Sequence, residues 1–167
     1  VKYAGLPEKY SDGVTGMLYV PVMVFYACLS RLAFSRLQKG RKRKKLLQTV
    51  ARDMKKMKKW SGHAPENYLH KLNLITAEYL RTLGNEKDAR HYYSLAIEGA
   101  AKSGYINDRA IASELYAHFW FELSEKDIGY LYLSRARQEY QIWGANAKVE
   151  FMDQTYWKGL DHSVISD

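Results

Sequence analysis

Only one cysteine (Cys28), three prolines and few β-branched runs occur in this 167-residue chain. A lone thiol excludes an internal disulfide and a cysteine-based zinc site, and it fits a reducing, cytoplasmic setting. With three prolines and 11 glycines there is little to interrupt long helices, and scarce β-branched runs argue against a sheet. Low hydrophobicity, the mark of disorder, is also missing: 47% of residues are hydrophobic, with 14 Tyr and 4 Trp, enough for a real core.

Charge is present in bulk but unevenly placed. The formal net charge is +8, yet the window from Lys39 to Lys59 alone holds 11 basic residues against one acid, Asp53. The rest of the chain is therefore slightly acidic. One helix is basic, not the whole protein. Arg41, Lys42, Arg43, Lys44, Lys45, Lys55, Lys56, Lys58 and Lys59 form this surface. It suits a solvated helix face, docking onto an acidic protein, or the phosphates of nucleic acid or anionic lipid. No aromatic residue for base stacking lies between Lys39 and Lys59, which disfavours single-strand recognition.

A long uncharged run precedes that window. Gly13 to Ser30 is 18 residues without charge, near the lower limit of a spanning helix. Gly13, Thr15, Gly16 and Pro21 dilute it, and the pattern continues past Arg31 as an amphipathic stretch. A buried helix is the expectation, with a membrane anchor the weaker alternative. The run has neither the basic start nor the small-residue cleavage site of a signal peptide.

Punctuation divides the remainder into an all-α protein. Helices are expected over 17–37, 42–60, 66–83, 86–102, 109–123, 124–143 and 146–160. Pro65 opens the third, Gly84-Asn85 closes it, Asn107-Asp108 caps the fifth, and Ser124 with Asp127 makes a capping box for the sixth. On the second, Leu46, Leu47, Val50, Met54 and Met57 follow one buried face. The helical domain is expected over 17–160, between a lead segment 1–16 and a tail 161–167. Beginning at Val1 and ending in His-Ser-Val-Ile-Ser-Asp, the chain reads as a piece of something longer.

A repeat emerges at an offset of 40: Ala77/Ala117, Leu83/Leu123, Tyr92/Tyr132, Ser94/Ser134, Ala96/Ala136 and Gly104/Gly144, with Tyr79/Phe119 and Ala89/Gly129 as conservative pairs. Small residues at Ala77, Ala89 and Ala96 allow paired helices to approach closely. The spacing Ala89, Tyr93, Ala96, and its echo Gly129, Leu133, Ala136, resembles the tetratricopeptide repeat (TPR). No Trp opens the first helix of each pair, and the period exceeds the usual repeat of about 34 residues. The expectation is a TPR-like αα-solenoid of about three antiparallel helix pairs plus a C-terminal helix. Such arrays bind partners and are rarely enzymes.

In "IWGANAKV", Gly144 is expected to end one helix and start the corner to the next. Tyr140 and Trp143 should pack across that corner against Val149, Phe151 or Met152. A narrower resemblance rests on Trp60, Pro65-Glu66-Asn67, His70-Lys71, Ala77-Glu78 and the string from Tyr140 to Val149. Together they look like the helical-repeat region of large sensor kinases, which also carry protein-kinase-like, ATPase, GAF and histidine-kinase domains. The resemblance implies a scaffold that relays signals or mediates contacts between neighbouring domains or with another protein. None of that family's catalytic motifs is present in this sequence.

No catalytic residue and no cofactor are expected. Glu114, His118 and Glu122 recur every four residues on one helix face. Such a row could hold a divalent metal, but it lacks both the Glu-x-x-His and the two-His patterns. Under the repeat alignment it lines a partner-binding groove together with Lys71, Glu78 and Arg81. His63, His70, His91 and His162 show no ligand spacing. The competing functions are a free-standing peptide-binding adaptor, binding of nucleic acid or an anionic surface through residues 41–59, and, third, a metalloenzyme. Nucleic acid and membrane are the less favoured partners.

Overall fold

The computed structural model describes residues 19–157, which are helices joined by short turns with no strand among them. The expected lead segment and tail, and the first turn of the first expected helix at Met17, lie outside the described residues. Helix α1 spans Val20–Arg36, α2 Gly40–His63, α3 Pro65–Leu83, α4 Glu86–Lys102, α5 Ile106–Glu122, α6 Lys126–Trp143 and α7 Asn146–Met152. A single π-helical turn, Asp153–Trp157, follows α7. The chain divides between Ser103 and Gly104 into two compact units. No described helix is long and apolar enough to cross a membrane.

In the first unit α1 pairs with α2 and α3 with α4, and both α1 and α2 also pack on α3. Phe25, Cys28 and Leu32 of α1, Val50 and Met57 of α2, and Leu74, Ile75 and Ala77 of α3 fill the interior. Their 3–4 spacing on each helix is what turns one apolar stripe inward. Leu46, Leu47 and Met54, expected beside Val50 and Met57, are only half-buried. A charged residue, Asp53, is buried on that face in their company. The second unit is the α5–α6 hairpin with α7 packed against α6. Ala110, Ala117, Leu133, Ala136, Tyr140, Val149 and Met152 make its core.

Several boundaries move from their sequence positions. Ser61, Gly62 and His63 continue α2 rather than ending it. Helix α5 begins at Ile106, so Asn107 and Asp108 lie inside its first turn and make no N-cap bond. Ser124 is no cap either: it takes a left-handed φ of 64°, and Glu125 occupies the N-cap position. It stands 40 residues after Gly84, whose φ is 80°, so the two hairpins share one turn geometry with a costlier residue in the second. The expected seventh helix ends at Met152 and loosens into the π-turn.

The corner at Gly144 has the expected form. Gly144 is left-handed, its N–H bonds to Gln141 O, and the Ala145 N–H bonds to Tyr140 O at 2.9 Å, a Schellman-type end that a side-chained residue adopts at a cost. Tyr140 packs with Val149 and Met152 as expected. Trp143 and Phe151 are not buried there: both are about half exposed, and the Trp143 ring lies tilted beside Tyr140 at 6.2 Å.

Close approach sets one further position. A Cβ at Gly129 would fall 2.4 Å from the Phe121 ring. Gly129→Ala is expected to lose about 1–2 kcal/mol through overpacking, despite the better helix propensity of Ala. In a Phe121→Ala background the sign should reverse, with Ala favoured by up to about 1 kcal/mol. Urea denaturation of the four proteins measures this; equal effects in both backgrounds would mean the ring is not the obstacle.

Candidate functional site

Unit one is organised around a buried carboxylate. Glu78 of α3, 1% exposed, accepts from Arg36 Nη1 of α1 at 2.6 Å and from Arg81 Nη1 of its own helix at 2.8 Å. The Tyr93 hydroxyl of α4 donates to the same carboxylate, and Arg81 Nη1 lies 3.2 Å from that hydroxyl. Burial, with the Glu78 charge beside it, pushes the Tyr93 phenol well above its ordinary value, so it stays a donor. Three helices are thus tied through one group. A second tie joins α1 to α2, where Arg31 Nη1 meets Asp53 Oδ2 at 2.8 Å.

Next to Arg81 the chain leaves a shallow cavity of about 440 Å³ where α1 ends, α2 begins and α3 ends. Arg43 spans it, donating to Thr82 O at 2.6 Å. A larger recess of about 540 Å³ lies between α3 and α4, with Leu69, His70, Leu95 and Gly99 in its walls.

In unit two, Glu114 of α5 accepts from Tyr140 Oη at 2.8 Å and from Lys148 Nζ of α7 at 2.6 Å, with His118 Nε2 3.7 Å away. Burial alone would raise this carboxyl, but His118, Lys148 and Tyr140 outweigh it and hold it at about 2, against an ordinary 4.5. Because the folded value is the lower one, the resulting stability is fully present above pH 4.5 and is lost as pH falls toward 2. Glu114→Gln is expected to cost about 2 kcal/mol at neutral pH, a deficit that closes across that acid window. Thermal unfolding of both proteins from pH 7 to 2 tests this; a deficit independent of pH would refute the assignment. Glu139 lies deeper, 2.7 Å from Arg109 Nε and accepting from Ser113 Oγ at 3.1 Å, and burial raises its carboxyl.

The six residues read as one groove are therefore placed differently. Glu78 and Arg81 meet, but inside unit one, and Glu78 lines no open surface. Lys71 is also buried, its ammonium on Asn67 O at 3.1 Å and beside His70 Nε2. Glu114 and His118 meet in unit two, where Tyr156 Oη approaches His118 Nε2 at 3.4 Å. Glu122 is exposed near the end of α5. Among the described residues no group of three or more His, Cys, Asp or Glu is placed to hold a metal.

The basic residues lie on the outside of α2. Arg41, Lys42, Lys44, Lys45, Lys55, Lys56, Lys58 and Lys59 are exposed; only Arg43 is partly withdrawn, into the cavity. Lys42 also rests over the Phe34 ring and Lys56 reaches Asp53 at 3.3 Å. Cys28 is fully buried, and burial with Asp53 nearby pushes its thiol up to about 12, far from a nucleophile.

Sequence reasoning missed Arg36, Tyr93 as a polar group, and Asp53. A signal existed for Asp53, the one acid in a basic window at a 3–4 spacing from Val50 and Met57. For Arg36 there was none, because its partner lies 42 residues away. No known protein family, curated protein or solved structure matches the chain.

Proposed function

We propose that the chain is a non-catalytic helical-repeat scaffold, TPR-like in its pairing, that mediates contacts between domains or proteins. Relay within a larger signalling protein is the form of that role which the resemblance to sensor-kinase helical regions favours. The observation carrying this reading is the agreement of two hairpins at a 40-residue offset. Ala77 and Ala117, Ala89 and Gly129, Tyr93 and Leu133, and Ala96 and Ala136 are buried pair by pair. Gly104 and Gly144 are left-handed at 75° and 84°. Their buried charges support the same reading: Glu78, Asp53, Glu114 and Glu139 are each held by cations that cross from helix to helix. Groups used in that way serve architecture rather than turnover.

Deleting the whole helical region, residues 20–157, in the full-length protein tests the relay. Loss of the signalling response, with flanking regions still folded, is the expected result; an intact response would end the proposal.

The basic face supports a second reading, binding of nucleic acid or an anionic surface. The single acid of that window, Asp53, points inward to Arg31, so it does little to neutralise the outer face. Titration with duplex and single-stranded oligonucleotides across salt decides it, since electrostatic binding must weaken steeply as salt rises.

A further inference from the structure

The cavity between the end of α1, the start of α2 and the end of α3 is lined by Arg36, Lys39, Arg43 and Arg81, with Gln38 beside them, and by no acidic side chain. These cations come from three helices and a linker, so their convergence belongs to the fold rather than to the basic run of α2. The nearest carboxylate held by them is Glu78, and it is shared between Arg36 and Arg81. One negative charge thus faces four positive ones, leaving an excess of three over about 440 Å³.

The backbone adds to this field. Helix α2, 24 residues long, begins at Gly40 on the cavity wall with no acid in its first turn and no side-chain cap on its N-terminal amides. Its positive end therefore faces the same space as the guanidinium groups. The space above Gly40 is open, since a Cβ there would meet nothing within 4 Å. Arg43 uses one donor on Thr82 O, and a guanidinium carries five.

We propose that this cavity binds a phosphate group carried by a small soluble molecule, a phosphate monoester. Arg43 and Lys39 contact its oxygens, Arg36 and Arg81 supply the field from behind, and the α2 amides complete the cradle. Arginine forks suit carboxylate and phosphate alike, but an excess of three positive charges beside a helix N-terminus favours the dianion with its three free oxygens. This site is separate from the scaffold role and stands or falls without it.

The experiment titrates inorganic phosphate, glycerol phosphate and phosphatidic acid vesicles into the protein at constant ionic strength, with chloride as control. Calorimetry and the backbone amide resonances of Gly40 and Arg41 report binding. Saturable binding of both soluble phosphates at millimolar or lower concentration, with glycerol phosphate displacing any bound vesicle, is the expected result. The variant Lys39→Ala/Arg43→Ala should lose at least about tenfold in affinity, equivalent to about 1.4 kcal/mol, with its helical circular dichroism unchanged. These two side chains are chosen because Arg36 and Arg81 also hold Glu78. Arg43→Lys, which keeps the charge without the fork, should fall between. No saturation by soluble phosphate, equal binding by the double variant, or vesicle binding that soluble phosphate cannot displace would each overturn the proposal.

Discussion

Glu78→Ala is expected to destabilise the first unit by about 3–5 kcal/mol, because it strands a buried cation. The Arg81 side chain is only 5% exposed and its guanidinium has Glu78 as its partner carboxylate. Arg36, at 27%, can turn toward water, and so contributes less to the loss. Tyr93 loses its acceptor while remaining fully buried, a further cost of about 1–3 kcal/mol that overlaps the first. Glu78→Gln keeps the shape and an acceptor oxygen, and should fall short of the alanine variant. The decisive comparison is Glu78→Leu/Arg81→Leu/Tyr93→Phe. Only Arg36 then lacks its carboxylate, and it can turn toward water, so this triple variant should be more stable than Glu78→Ala alone. Denaturant unfolding gives the ranking; a triple variant below the single one would show that the carboxylate contributes net stability of its own.

Leu133→Ala is the second large effect, about 2–5 kcal/mol from lost burial and the cavity left behind. Leu133 is fully buried among Ala117, Ala136, Tyr140 and Met152. Its surroundings are rich in alanine, whose side chains have no rotamers with which to close a gap. Relaxation is therefore poor and the loss should lie in the upper half of the range. Amide hydrogen exchange in α5 and α6 measures it locally. Protection unchanged there would mean that the second unit collapses around the smaller side chain.

The element order and most boundaries were legible because glycine and proline punctuate the chain at Pro65, Gly84, Gly104 and Gly144. Small residues at an offset of 40 likewise marked where helices touch. Ser124 was misread because a serine before an acidic first turn favours a cap locally. The hairpin instead requires the backbone that Gly84 adopts one repeat earlier, and tertiary geometry prevails. The candidate site was less legible for a different reason. Helical spacing says which residues share a face, and in the structure Glu78 does meet Arg81 and Glu114 lies near His118. It does not say whether a charged face meets water or a cation from a distant helix. Glu78 meets Arg36 and Glu114 meets Lys148, so both acids turn inward. The exposed lysines of α2 carried no such ambiguity, since so dense a run of one sign cannot be buried.

Cys28 has a consequence of another kind. Because the chain holds a single sulfhydryl, fully enclosed and protonated at any working pH, a thiol-reactive dye has one target and no access to it in the closed molecule. Its labelling half-time is a clock for the departure of α1 from α2 and α3. The same clock, read in a variant of Asp53 or Arg31, reports how firmly that first helix is latched.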